Sequence, residues 1–182
     1  DHPESCDLYQ GPMLLDDLAP QVAATEMTPT WGAGMLGQWF TKPEATQLDA
    51  EPHEIELHGL GLFACRRDAW QHFNARFCGF GGEEGYIHEK FRRAGFKCWC
   101  LPFLRWWHDF RDDEDKPPYQ LPTALRVRNY LIGSDEIEKP WTDLLAEFHG
   151  SLTAAEVLNL QMEFGDTREK WELLEVLADH SS

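Results

Sequence analysis

Gly79-Phe-Gly-Gly-Glu-Glu-Gly-Tyr-Ile-His-Glu-Lys-Phe-Arg-Arg-Ala-Gly95 is the stretch from which the rest of the chain can be read. Ile87, Phe91 and Ala94 recur at helical spacing, which predicts a helix with one apolar face, stopped by Gly95. Glu83 and Glu84 stand in its first turn, where the helix dipole offsets the repulsion between two carboxylates. Gly81 and Gly82 just before them leave the backbone bare for close approach.

Downstream, residues 97–107 form a dense apolar and aromatic run that predicts a strand closed by His108. Upstream, Ile55-Glu-Leu-His-Gly-Leu-Gly-Leu-Phe-Ala-Cys65 predicts another strand, with Gly59 and Gly61 kept bare as if something packs on them. A short helix is expected near residues 68–73.

The first 50 residues are punctuated by Gly11-Pro12, Pro20, Pro29 and Pro43 and are expected to be mostly irregular. They include Trp31-Gly-Ala-Gly-Met-Leu-Gly-Gln-Trp39, three glycines between two tryptophans, which reads equally as core plus turns or as a surface for a ligand. The last third is expected to be helical. Helices are predicted over 123–132, stopped by Gly133, and over 141–149, stopped by Gly150. Two further helices are opened by the capping-box patterns Thr153-Ala-Ala-Glu156 and Asp166-Thr-Arg-Glu169.

The chain has 182 residues, of which 42% are hydrophobic and 13% aromatic, enough to bury a substantial core. Its formal net charge is −16, which repels phosphate backbones and anionic headgroups and argues against nucleic acid and membrane surfaces as partners. The acid is unevenly spread. Residues 1–50 carry 8 acidic and 1 basic residue, residues 51–110 carry 8 of each, and residues 111–182 carry 16 and 7. No apolar run approaches the roughly 18 residues of a membrane span. Five cysteines, an odd number in a chain of this size, point to reduced thiols and a cytoplasmic setting.

Glu83, Glu84 and His108 form the constellation with the most chemistry. A carboxylate at a helix start can deprotonate a hydroxyl, and an imidazole one strand away can ligate a divalent metal. The same residues also read as favourable first-turn acids and a strand-end histidine. His2, His53, His58, His72, His88, His149 and His180 show no zinc-site spacing, and Cys98-Trp-Cys100 suits core burial better than a metal knuckle. Asp112-Asp-Glu-Asp115 reads as a solvated loop before Pro117-Pro118.

Taken in order, Gly59-Leu-Gly-Leu-Phe-Ala-Cys-Arg-Arg-Asp-Ala-Trp, Phe77-Cys-Gly-Phe-Gly-Gly-Glu-Glu-Gly, Phe91-Arg-Arg-Ala-Gly and the run closed by His108 resemble the acceptor-side half of GT-A fold, family 2-like glycosyltransferases. The similarity extends to polypeptide N-acetylgalactosaminyltransferases and β-1,4-galactosyltransferases. It implies an α/β fold, the C-terminal part of a GT-A mixed sheet flanked by helices over residues 1–135, with a helical extension over 136–182. By the same resemblance, Glu84 would be the general base, Glu83 would help hold the acceptor, and His108 would ligate Mn²⁺ or Mg²⁺ beside a nucleotide-sugar diphosphate. Gly59 and Gly61 would lie beneath the donor sugar, Gly81 and Gly82 would bind donor or acceptor, and Trp39 would belong to a mobile loop over the site. The acceptor would be a carbohydrate or a glycosylatable protein.

The family's donor-binding half, with its Asp-x-Asp or Asp-x-His, has no counterpart ahead of Asp1-His2-Pro3. The expectation is that an upstream segment or a partner chain supplies it, or that the chain has lost donor binding, and in each case that this chain alone binds nucleotide sugar weakly or not at all. The alternative is a non-catalytic carbohydrate- or protein-binding module on the same scaffold, and a third possibility is a structural partner whose acidic helical tail docks on a basic protein.

Overall fold

The computed structural model describes residues 5–15, 21–108 and 122–179. Asp112 to Asp115, His2 and His180 therefore lie outside the described residues. The chain is mixed α/β, with small sheets and, among the described residues, five α-helices. It divides into two compact units. The first comprises Asp1–Thr30, Leu36–Phe73 and Glu84–Tyr119, and the second Trp31–Met35, Asn74–Glu83 and Gln120–Ser182.

In the first unit, β1 (Leu8–Gln10), β2 (Met13–Leu14) and β3 (Val22–Ala24) come from the segment expected to be irregular. So do β4 (Glu26–Gly32) and β5 (Met35–Phe40), which pair as a hairpin. Its turn carries two left-handed residues, Ala33 (φ 51°) and Gly34 (φ 73°), as a tight hairpin turn requires. Strands this short bury little alternating pattern, and the prolines mask what there is.

The strand expected over residues 55–65 is not continuous. β6 is limited to His53–Glu54, and beyond it Leu57 and Ala64 make single bridges to Met27 and Tyr9. The expected helix near residues 68–73 is a 3₁₀ turn over Arg67–Ala69. Residues 97–107 likewise form two strands, β7 (Cys98–Cys100) and β8 (Trp106–Trp107).

The reason lies in the register. Leu8 pairs with Cys98 and Met13 with Trp106, both in parallel, so the 98–107 stretch holds three more residues than its partner. The excess bulges at residues 101–105 against Gly11, where a Cβ would stand 1.7 Å from the Leu104 carbonyl oxygen. Two three-stranded sheets result, ordered β1-β7-β6 and β3-β2-β8.

α1 (Glu83–Arg93) follows the expected pattern. Ile87 and Phe91 are fully buried, as are Leu8, Cys98 and Cys100 of the adjoining strands. Gly95 (φ 82°) ends the helix: its N–H donates to Arg92 O and that of Phe96 to Phe91 O, the paired bonds of a Schellman stop. Burial pushes the Cys98 and Cys100 thiols up to about 12, so both behave as core residues.

In the second unit, α2 (Thr123–Glu136) runs through Gly133, which was expected to stop it. That glycine is buried, and the chain leaves the helix later, at Glu138 (φ 50°). α3 is shorter than expected, Thr142–Glu147, and is followed by Gly150 at φ 65°. α4 (Ala154–Phe164) opens with the expected capping box between Thr153 and Glu156. The cap of α5 (Arg168–Leu174) is Thr167, bonded by the Lys170 N–H, one residue beyond the expected box.

Val127, Leu131, Leu144, Val157, Leu160, Phe164 and Leu174 fill this unit's core. Trp31 packs edge-on against Tyr130 (centroids 4.7 Å) and Phe148 (6.0 Å). An apolar cavity of about 730 Å³, lined by Pro140, Trp141, Leu145, Leu173 and Val176, opens beside α3 and α5.

Candidate functional site

The sequence-predicted residues fall in two places. In the first unit, the bare faces of Gly59 and Gly61 are covered by indoles. A Cβ on Gly59 would lie 2.6 Å from Trp39 Cη2, and one on Gly61 would lie 2.2 Å from Trp106 Cζ3. Glycine at these positions therefore makes room for two tryptophans. Trp39 sits on β5 and is 41% exposed, whereas Trp106 is half-buried and donates its Nε1–H to Gly11 O at 2.9 Å.

His58 lies between these rings, edge-on to Trp39 (5.6 Å) and tilted to Trp106 (6.3 Å), and is fully buried. Its Nδ1 is 3.3 Å from Gly59 O, so this nitrogen carries the proton and donates. Burial pushes the imidazole down to about 4, which leaves Nε2 as a lone-pair acceptor, and among the described residues no donor reaches it. An unmet buried acceptor costs about 1–3 kcal/mol. His108 follows β8 with its ring 5.7 Å from Trp106, so Trp106 neighbours both His58 and His108.

Glu84 enters this unit through its backbone. Its carbonyl lies 2.6 Å from His88 Nδ1. His88 Nε2 in turn lies 2.5 Å from Gln10 Oε1, and Gln10 donates Nε2–H to Gly59 O at 2.7 Å. Two fully buried side chains thus tie the first turn of α1 to the glycine turn. A neutral imidazole has one N–H for its two oxygen neighbours. Protonation would satisfy both, but burial pushes His88 down to about 3, with Arg92 adding to the effect.

Gly81, Gly82 and Glu83 belong to the second unit. Both glycines have φ 96°, a left-handed conformation that favours glycine. Cβ atoms there would meet Arg126 Cγ at 2.5 Å and Asn129 Cβ at 3.2 Å. Buried Asn129 holds this turn: its Nδ2 donates to Cys78 O and Gly81 O, both at 3.0 Å, and its Oδ1 accepts from Cys78 N at 3.1 Å. Burial raises the Glu83 carboxyl above the usual carboxylate range, against backbone N–H groups of Glu83 and Gly81 that pull it down. A carboxylate shifted in this direction is a stronger base than an ordinary one.

Among the described residues, no three His, Cys, Asp or Glu side chains gather as a metal-holding group. His108, the metal ligand that the resemblance implies, is not part of such a group among the described residues. Also among the described residues, no helix is long and apolar enough to cross a membrane.

His58, Gln10, His88, Trp106 and Asn129 carry the geometry but were not singled out for it. A histidine directly before a Gly-x-Gly turn is a local signal for His58. Asn129 carries none, as an amide in a helix interior is ordinary. Compared with known proteins, the chain matches no family model and no curated protein at a significant level.

Proposed function

We propose that this chain is the acceptor-side portion of a glycosyltransferase on a GT-A-like scaffold, transferring a sugar from a nucleotide-sugar donor to an acceptor hydroxyl. The observation that carries the reading is the roofing of Gly59 and Gly61 by Trp39 and Trp106, with His58 and His108 flanking Trp106. Indole faces pack against the C–H faces of sugar rings, while nearby ring nitrogens can meet hydroxyls. The ordered motifs that resemble the family add Glu84 as the base for the acceptor hydroxyl, with Glu83 beside it in sequence as the carboxyl of raised proton affinity. His108 would be a ligand from this chain to a divalent ion bound with the donor diphosphate.

The test is nucleoside-diphosphate release from UDP- and GDP-sugars, with Mn²⁺ and simple glycoside acceptors, by the protein with its donor-binding half present, comparing wild type with Glu84→Gln and His108→Ala. Turnover that falls at least about a hundredfold in both variants supports the enzyme. Turnover unchanged in both overturns it. Glycoside binding without turnover in wild type favours the second reading, a non-catalytic carbohydrate-binding module, which needs the aromatic faces and no base.

A further inference from the structure

Among the described residues, Nε2 of His58 is a fully buried polar atom beside the glycine turn with no hydrogen-bond partner. Its ring is fixed at the other nitrogen by Gly59 O, which Gln10 also holds, so the imidazole cannot rotate without giving up that bond. Of its two indole neighbours, Trp106 is tethered to Gly11 O, while Trp39 is 41% exposed and rests edge-on against His58 with its Cη2 over Gly59. The arrangement is a fixed acceptor under a cover with one side in solvent.

We propose that His58 Nε2 accepts a hydrogen bond from a hydroxyl of a bound carbohydrate, admitted when the Trp39 indole swings off Gly59. The proposal rests on the carbohydrate-handling reading above and names the contact that reading lacks. A hydroxyl is the class of donor that fits. The acceptor is a neutral lone pair, and the flanking surfaces are aromatic faces suited to a pyranose. Trp106 would remain as the platform.

The experiment uses the methyl glycosides of glucose, galactose, N-acetylglucosamine and N-acetylgalactosamine as probes. Binding is read by saturation-transfer NMR, and the His58 Nε2 resonance is followed in ¹⁵N-histidine-labelled wild-type protein. Expected are binding of at least one glycoside and movement of Nε2 to lower frequency, as a lone pair does on accepting a hydrogen bond. His58→Asn keeps an amide N–H near the Nδ1 position for Gly59 O but has no counterpart of Nε2. It is expected to bind that glycoside about tenfold more weakly. Trp39→Ala, which removes the cover, is expected to retain binding.

Wild type saturated with a bound glycoside while Nε2 stays unmoved overturns this proposal and leaves the carbohydrate reading standing. So does equal affinity in folded His58→Asn. Failure of wild type to bind any of the four glycosides overturns both. Because the ¹⁵N measurement uses wild type, the proposal stays open to refutation even where His58→Asn does not fold.

Discussion

Asn129 grips the peptide groups on both sides of the Cys78 α-carbon, accepting from its N–H at 3.1 Å and donating to its carbonyl at 3.0 Å, while a second N–H reaches Gly81 O. One side chain on α2 therefore dictates the path of the chain into Gly81, Gly82 and Glu83. Asn129→Ala removes three hydrogen bonds and strands buried backbone groups. It is expected to destabilise the protein by about 2–4 kcal/mol in urea denaturation. Asn129→Asp keeps the acceptor but loses both donors, and is expected to cost at least as much near neutral pH.

The two indole-covered glycines should respond unequally to alanine. Gly61→Ala drives a methyl into Trp106, which its bond to Gly11 O holds in place, so a loss of about 1–3 kcal/mol is expected. Gly59→Ala meets Trp39, whose outer side is in solvent, and should cost less than about 1 kcal/mol while increasing Trp39 exposure. Thermal melts and acrylamide quenching of tryptophan fluorescence would check the pair. Equal losses would mean that Trp39 is as fixed as Trp106.

His58 and His88 make stability depend on pH below neutrality. Both are held neutral by burial, at about 4 and about 3, against an unfolded value of 6.5. Between these values the unfolded chain binds more protons, so stability is full above about 6.5 and falls as the pH drops toward 4. The steepest contribution is roughly 1.4 kcal/mol per pH unit for each histidine. Urea midpoints at pH 7 and pH 5 measure this, and the Cε1–H shifts of both rings should stay at neutral-imidazole values at pH 5.5. A ring that titrates near 6.5 in the native protein would remove its share.

Glu163 on α4 accepts from Arg128 at 2.7 Å twice and from Arg76 at 2.7 Å, joining α4 to α2 and to the 74–83 segment. The Arg128 hydrogen bonds, then those of Arg76, hold its carboxyl below the usual range despite partial burial. The stabilisation is present above the unfolded carboxylate value and is lost as the pH falls through the lower folded one. Glu163→Gln is expected to cost about 1 kcal/mol, less at 1 M salt than at 0.05 M, by differential scanning calorimetry.

Helical periodicity and stop signals made α1 legible, because Ile87, Phe91 and Gly95 are local features. The strands were harder. The break at residues 101–105 arises from a three-residue mismatch with the 8–14 segment, and pairing partners 90 residues apart leave no trace in either segment alone. Gly59 and Gly61 were recognised as bare, but what covers them comes from positions 39 and 106, which a local window does not connect. Gly133 misled for the opposite reason: a buried small residue in a helix looks like a stop until its neighbours are known. At the site, Glu83, Glu84 and His108 are visible as residue types, whereas the Gln10–His88–Glu84 connection depends on β1 meeting α1.

Cys98 and Cys100 are sealed and resist ionisation, Cys65 is half-buried with its thiol also pushed up by burial, and Cys78 is exposed. An exposed sulfhydryl at the end of the Asn129 clamp gives the native sequence an attachment point for a spin label or fluorophore, within a few residues of Glu83. Mild maleimide treatment should favour it over the buried thiols. A probe placed there would report on the turn leading into α1 with no engineered residue at all.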